Sequence, residues 1–130
     1  MLRPYVTYED VLAICPYVDQ LQPGDEQFSG QRLASRLWLD AAITATSRLT
    51  CGFSVKVDYR VKRACAYKAA SEILAAQITP MVEQNAYGTM AAKFARMAES
   101  EISTLTVYII TDMGELHAVH LGISKRGFHG

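Results

Sequence analysis

Histidine and carboxylate side chains come closest together near the C-terminus, where they could ligate a metal ion. His117 and His120 lie a few residues after Asp112 and Glu115, and imidazole and carboxylate groups are common zinc ligands. The surrounding sequence is typical of a β-strand, however, and residues three apart on a strand point to opposite faces. We therefore expect the two imidazoles to diverge, and the sequence predicts no metal site. A third ligand from His129, in the C-terminal tail, is the alternative that stays open.

The three cysteines are the candidate nucleophiles. Cys15, Cys51 and Cys65 lie in apolar helical segments or at a helix end, where a thiol behaves as a small hydrophobic side chain. No serine lies in a G-x-S-x-G motif, and the glycines are isolated rather than clustered in a phosphate-binding loop. An odd, widely spaced set of cysteines is typical of a reducing compartment. The sequence predicts reduced structural cysteines, no catalytic residues and no cofactor, and therefore not an enzyme.

Basic and aromatic residues are interspersed over 56–68 (KVDYRVKRACAYK), as they are in some nucleic-acid-binding surfaces. Lys56, Arg60 and Arg63 would share one face at the start of a helix, and they are the candidate DNA-facing residues. The balanced total charge and the absence of a recognisable recognition helix argue against sequence-specific reading of bases. Two interpretations stay open for this segment: non-specific contact with phosphates, and the solvated start of a helix.

Composition indicates one folded domain with segregated charge. The chain has 130 residues, of which 50% are hydrophobic and 20% charged, and its formal net charge is zero. Such a composition excludes a disordered chain, and no apolar run approaches the roughly 20 residues of a membrane-spanning helix. Residues 1–30 and 69–115 are acidic, whereas 31–68 are basic. Opposed charges of this kind can favour head-to-tail contact between identical subunits, or they can cancel within the fold.

The apolar spacing predicts a mainly α fold, a small bundle of about four helices. The first is short, capped by Thr7, and the second runs from about 31 to 50, with Gly52 in the left-handed position after it. A third helix, apolar on most of its surface, begins after Asp58 and ends before Pro80. Gly88 marks a predicted break before a fourth helix over about 89–104. An ion pair between Arg36 and Asp40 is expected from their spacing of four.

Strand-like sequence follows the helices and predicts a C-terminal β-hairpin over about 106–121. The strands are 106–111 and 116–121, joined by a turn in which Gly114 supplies the positive φ. Tyr108 and Ile110 lie on one face, and Val107 and Ile109 on the other. One face can meet the helical bundle, and the second then needs a partner, although a satellite cluster within the monomer is the alternative.

Several segments resemble the small head–tail connector (adaptor) proteins of long-tailed phages. Residues 5–12 (YVTYEDVL) resemble the Y-x-T-x-x-D-L start of that family. Residues 39–43 and 50–53 are similar to its long helix leading into a loop, and 61–77 to its Ala-rich central helix. Residues 112–115 and 121–127 are similar to its finish of turn, strand and basic R-G.

The resemblance implies a structural virion protein, assembled in the host cytoplasm. Its subunits would form a ring between the portal and the tail, around the channel through which DNA leaves the head. Its partners would be identical subunits, the portal protein and a tail or stopper protein, with non-specific DNA contact at most and no membrane. The alternative function is a small cytosolic helical regulator or a nucleic-acid-binding dimer.

The C-terminal tail, 122–130 (GISKRGFHG), follows a predicted domain of residues 1–121. Lys125 and Arg126 could pair with acidic residues of a partner, while Phe128 enters an apolar pocket as an anchor. These three residues, with Tyr108 and Ile110, are the predicted partner-binding set. A tail packed on its own bundle is the alternative.

Overall fold

Four α-helices make up most of the part of the chain that the structure, a computed structural model, describes: residues 2–78 and 84–122. They are α1 (Tyr8–Ile14), α2 (Ser29–Ser47), α3 (Tyr59–Ala76) and α4 (Gln84–Ile102). Two short 3₁₀ helices, Pro16–Gln20 and Glu26–Phe28, connect α1 to α2. The predicted mainly helical bundle is confirmed. Pro80, the predicted limit of the third helix, lies outside the described residues.

Side-chain caps begin α1 and α3 at the predicted residues. The Thr7 hydroxyl accepts a hydrogen bond of 3.1 Å from the Asp10 backbone N–H, and the Asp10 carboxylate accepts one of 2.9 Å from the Thr7 N–H. The Asp58 carboxylate likewise accepts a hydrogen bond of 2.9 Å from the Val61 N–H. Each cap satisfies backbone donors that a helix cannot satisfy itself.

Replacing Asp58 by alanine should lower the free energy of unfolding by about 1 kcal/mol, because the first turn of α3 loses its acceptor. Chemical denaturation monitored by circular dichroism measures the change. Asp58→Asn is the matched control, since its side-chain oxygen can still accept the Val61 N–H. Equal stability of the alanine variant and the wild type would contradict the capping role.

Helix α3 occupies the centre of the bundle. It packs against α1, α2 and α4. Its fully buried residues are Val61, Ala64, Cys65, Ala69, Ala70, Ile73 and Leu74. Small side chains allow neighbouring helices to approach closely, and the apolar side of α3 is covered by the helices around it. The prediction of a core helix over this segment is confirmed.

An antiparallel sheet of three strands packs on the bundle. The strands are β1 (Phe53–Val55), β2 (Thr106–Thr111) and β3 (Leu116–His120), in the order β1-β2-β3. The predicted hairpin is confirmed as β2 and β3, with Gly114 at φ 85° in the turn. Strand β1 was not predicted, because three residues are too few to show a period of two. Backbone hydrogen bonds to β2, including Lys56 N–H to the Tyr108 carbonyl at 2.8 Å, hold it in place.

Two helix boundaries differ from the predictions. Helix α2 ends at Ser47, and Arg48 rather than Gly52 adopts the left-handed conformation, with φ 57°. Helix α4 begins at Gln84 and runs without a break through Gly88, so the predicted break is wrong. A helical glycine costs only about 1 kcal/mol relative to alanine, which the packing of α4 along α3 readily outweighs.

Candidate functional site

The two faces of the sheet have opposite environments. Val107 and Ile109 on β2 are fully buried and belong to the core, together with Val119 on β3. Because side chains alternate along a strand, the residues between them point away from the bundle. Tyr108 and Ile110 therefore lie on the outer face, as a separate group from the buried pair, in the arrangement that the sequence predicted.

A cluster of exposed apolar side chains covers this outer face and the adjoining turn. Tyr108 is 44% exposed, Ile110 53%, Leu116 70% and Met113 78%. Ile110 is directly opposite Leu116 in the strand register, so their side chains lie next to each other. We call these four residues the apolar sheet patch. Leu116 and Met113 were absent from the predicted partner-binding set, although the pairing of two strands around Gly114 would have placed Leu116 beside Ile110.

Polar residues surround the apolar sheet patch. Ser54 is opposite Ile110 on β1, and Lys56 comes beside Tyr108 through its backbone hydrogen bond. At the far end of the hairpin, the hydroxyl of Thr106 and Nδ1 of His120 are 2.8 Å apart. An apolar centre with a polar rim is the usual anatomy of a protein–protein interface.

Two of the candidate DNA-facing residues, Arg60 and Arg63, are paired within the fold. Arg60 donates a hydrogen bond of 2.9 Å to the Thr104 hydroxyl and lies 3.8 Å from the Glu101 carboxylate. Arg63 forms an ion pair of 3.0 Å with the same carboxylate. These contacts join α3 to α4. Lys56 lies apart from them, on the outer face of the sheet, so DNA contact by these residues stays a prediction.

The two histidines of β3 lie on different faces of the sheet. The His120 imidazole lies on the outer face, beside Thr106. His117 lies on the inner face, opposite the buried Ile109. Nε2 of His117 is buried without a hydrogen-bond partner, 3.9 Å from the Glu115 carboxylate. Within the described ranges, no three potential ligand side chains come together as a metal site. The prediction that no metal is bound stays a prediction.

All three cysteines are free thiols, and two of them are buried. Burial raises the pKa of the Cys65 thiol to about 12, with the nearby Asp40 carboxylate adding to the effect. Burial also raises the pKa of Cys15. Because the thiolate is the reactive form, neither residue is suited to nucleophilic catalysis. Cys51 is half-buried, two residues before the start of β1.

Thiol titration should separate Cys51 from the other two cysteines. We expect one thiol of the native protein to react with a disulfide reagent at pH 8 within minutes, and the remaining two to react only after unfolding. Cys51→Ser should abolish the fast reaction, whereas Cys15→Ser should leave it intact. Rapid reaction of all three thiols in the native protein would contradict the buried placement of Cys15 and Cys65.

A half-buried polar cluster ties the N-terminal segment to α2. The Tyr5 hydroxyl donates a hydrogen bond of 2.6 Å to Asp40, and Arg36 forms the predicted ion pair with the same carboxylate at 3.2 Å. Burial, followed by the hydrogen bond to Asp40, raises the pKa of Tyr5. The Arg36 guanidinium also donates to the Arg3 carbonyl at 2.8 Å. Because these side chains bond to one another and to the backbone, the cluster stabilises the fold.

Comparisons of the chain with family models, curated proteins and solved structures found no match. Among the residues that the structure describes, no helix has both the length and the apolar character to cross a membrane. Lys125, Arg126 and Phe128 lie outside the described residues. What the chain does must therefore be inferred from its own surfaces, and among the described residues the apolar sheet patch is the largest group of exposed large apolar side chains.

Proposed function

We propose that this chain is a structural subunit that assembles with identical copies into a ring, as a head–tail connector of a long-tailed phage. In that role the ring lies in the virion between the portal and a tail or stopper protein and surrounds the exiting DNA. The observation that carries the proposal is the apolar sheet patch. Its four large side chains point away from the only core that the described residues form.

The patch supports assembly because exposing large apolar side chains to water is energetically unfavourable. Burying a large apolar side chain contributes about 1.5–3 kcal/mol, and soluble monomers rarely leave a contiguous group of such residues in water. The central position of Ile110, on the middle strand and next to Leu116, makes the patch continuous across two strands. A second copy of the chain is the partner that a ring provides.

Resemblance of the sequence to the connector family supports the place of the ring in the virion. The observed order of elements, a short capped helix, a long helix, an Ala-rich central helix and a C-terminal hairpin, agrees with the order on which that resemblance rests. Contact of the ring with DNA would be non-specific. The alternative of a nucleic-acid-binding dimer draws less support, because Arg60 and Arg63 are both engaged with Glu101.

Two measurements on the purified protein distinguish these functions. Mass photometry at rising protein concentration should show a discrete, closed oligomer of many subunits. A gel shift with duplex DNA, repeated over a series of salt concentrations, should show only weak and sequence-independent binding. A dimer that binds duplex DNA tightly at low salt, with no larger species, would overturn the connector in favour of the nucleic-acid-binding protein.

Removal of residues 123–130 tests the predicted role of the tail as an assembly arm. Without Lys125, Arg126 and Phe128, we expect the ring to lose at least tenfold in affinity for the portal while the subunit stays folded. Binding to immobilised portal protein measures the loss, and a variant with only Phe128→Ala isolates the contribution of the anchor. Normal portal binding and normal yields of infectious particles would contradict this role.

A further inference from the structure

Main-chain hydrogen-bonding groups line both outer edges of the sheet. Strand β2 lies between β1 and β3, so within the sheet each outer strand pairs on one side only. On β3, the Glu115 carbonyl accepts a hydrogen bond of 2.8 Å from the Thr111 N–H, which shows that the main chain of Glu115 faces β2. The direction of the main-chain groups alternates along an antiparallel strand. The residues of β3 whose N–H and C=O groups point away from β2 are therefore Leu116, Ala118 and His120.

The edge of β1 has the same arrangement. The Lys56 N–H donates to the Tyr108 carbonyl at 2.8 Å, and the Gly52 carbonyl accepts from the Asp112 N–H at 3.0 Å. Between these two bonds, the residues whose main chain points away from β2 are Phe53 and Val55. Across the described part of the chain, no hydrogen bond joins the outward groups of β1 or β3 to another segment. Both edges therefore offer donors and acceptors at the spacing of a strand.

Strand β3 lacks the features that usually protect the edge of a sheet. Native edge strands avoid further pairing through a proline, a charged side chain or a bulge. Residues 116–120 (LHAVH) contain no proline, lysine or arginine, and their register with β2 runs over five successive pairs without a bulge. The exposed acids Asp112 and Glu115 belong to the turn that precedes the strand. The edge of β3 is thus open to a strand from another chain.

A recess beside β3 indicates which strand fits there. It has a volume of about 430 Å³ and lies between β3 and the C-terminal end of α2. Its walls are Thr46, Ser47, Leu49 and 117–120. A strand added to this edge directs alternate side chains toward the recess. Strand β1 brings Phe53 and Val55, two half-buried apolar side chains on the inner face of the sheet. A second copy of β3 would place His117 there, and a polar imidazole gains less from burial than an apolar ring.

From these observations we infer that β1 of one subunit pairs with the free edge of β3 in the next, which joins their sheets. The inference rests on the proposed function, because it specifies a contact that builds the ring. Strands β1 and β3 both run antiparallel to β2, so subunits repeated around a ring would pair them as a parallel ladder. Two different edges meet in a heterologous contact, and closure of the ring leaves every edge paired. Pairing of β3 with β3 would leave both copies of β1 unpaired.

Proline substitutions test this pairing, because proline has no main-chain N–H and is tolerated at an outward-facing edge position. Ala118→Pro removes a donor of the β3 edge, and Val55→Pro removes one of the β1 edge, without loss of a hydrogen bond to β2. Each variant alone should remain monomeric by mass photometry at roughly ten times the concentration at which the wild type assembles. An equimolar mixture has one intact β1 edge and one intact β3 edge that can pair, so it should form dimers and nothing larger. Ala118→Thr, the matched control, keeps the N–H and should assemble like the wild type.

Other results overturn the inference and show which step is wrong. Wild-type assembly of Ala118→Pro would exclude the edge of β3 as a contact. Wild-type assembly of Val55→Pro, with Ala118→Pro monomeric, would assign the edge of β3 to a second β3 or to residues 123–130. Both results leave the ring itself in place, whereas a wild type that is monomeric at all concentrations would overturn the proposed function.

Hydrogen exchange on the wild-type protein repeats the test without a variant that could unfold. Circular dichroism first checks that each proline variant is folded. On assembly, we expect the peptides that cover β1 and β3 each to gain protection of about two main-chain amides. Unchanged exchange of either strand in the assembled ring would contradict the pairing.

Discussion

Replacing Ile110 by aspartate is expected to weaken ring assembly by at least 100-fold while the subunit stays folded. Ile110 is at the centre of the apolar sheet patch, opposite Leu116. In an assembled ring its side chain would be buried, and the variant would lose about 1.5–3 kcal/mol of apolar burial and add the cost of burying a carboxylate without a partner. Since about 1.4 kcal/mol corresponds to a factor of ten, the loss reaches two orders of magnitude per contact.

Sedimentation equilibrium measures this loss, and Leu2→Asp is the matched control. Leu2 is also an exposed apolar residue, at 52%, but it lies in the N-terminal segment, far along the chain from the patch. We expect Leu2→Asp to assemble like the wild type and Ile110→Asp to remain monomeric with an unchanged circular dichroism spectrum. Equal assembly of both variants would show that the sheet patch is not a subunit contact.

Replacing Gly122 by alanine is expected to lower the free energy of unfolding by about 3 kcal/mol, the upper end for an overpacked site. Gly122 follows β3 and packs directly against the backbone of Ser103. A methyl group there would overlap the Ser103 carbonyl oxygen and carbon, which are backbone atoms that cannot rotate away. The segment after β3 would have to move from the turn between α4 and β2, with loss of the hydrogen bond of 3.0 Å from the Leu121 N–H to the Leu105 carbonyl.

The matched control for this change is Gly24→Ala, because a methyl group at Gly24 would meet no atom within 4 Å. Urea denaturation should show Gly24→Ala within about 0.5 kcal/mol of the wild type and Gly122→Ala clearly less stable. Wild-type stability of Gly122→Ala would contradict the close approach of Gly122 to the Ser103 backbone.

Local signals in the sequence were sufficient for much of the fold. Caps at Thr7 and Asp58, the glycine in the hairpin turn and the apolar periodicity of α3 each depend on a few neighbouring residues. Strand β1 and the uninterrupted α4 depend instead on partners distant in the chain. A three-residue strand exists only because β2 offers it hydrogen bonds, and Gly88 stays helical because α4 packs along α3. Neither effect can be found in a local window of sequence.

The candidate site was only partly predicted, because some of its features also depend on contacts between residues distant in the chain. Alternation along β2 was enough to separate Tyr108 and Ile110 from Val107 and Ile109. An apolar groove between α2 and α4, lined by Ala41, Ala45 and Ile102, was not predicted, because it results from the spacing of two helices that are far apart in sequence. Pairing of Arg60 and Arg63 with Glu101 was also missed, since the acid lies on α4 and the bases on α3. Charge that seems available in a sequence can be neutralised across such a contact.

Electron microscopy of the protein mixed with the portal protein that the proposal assigns to it tests the central proposal most directly. We expect class averages to show a single closed ring on one end of the portal, with an axial channel wide enough for duplex DNA. The Ile110→Asp variant under the same conditions should leave the portal bare or irregularly covered. Portals that remain bare with the wild-type protein at concentrations well above those used for assembly would contradict the proposal.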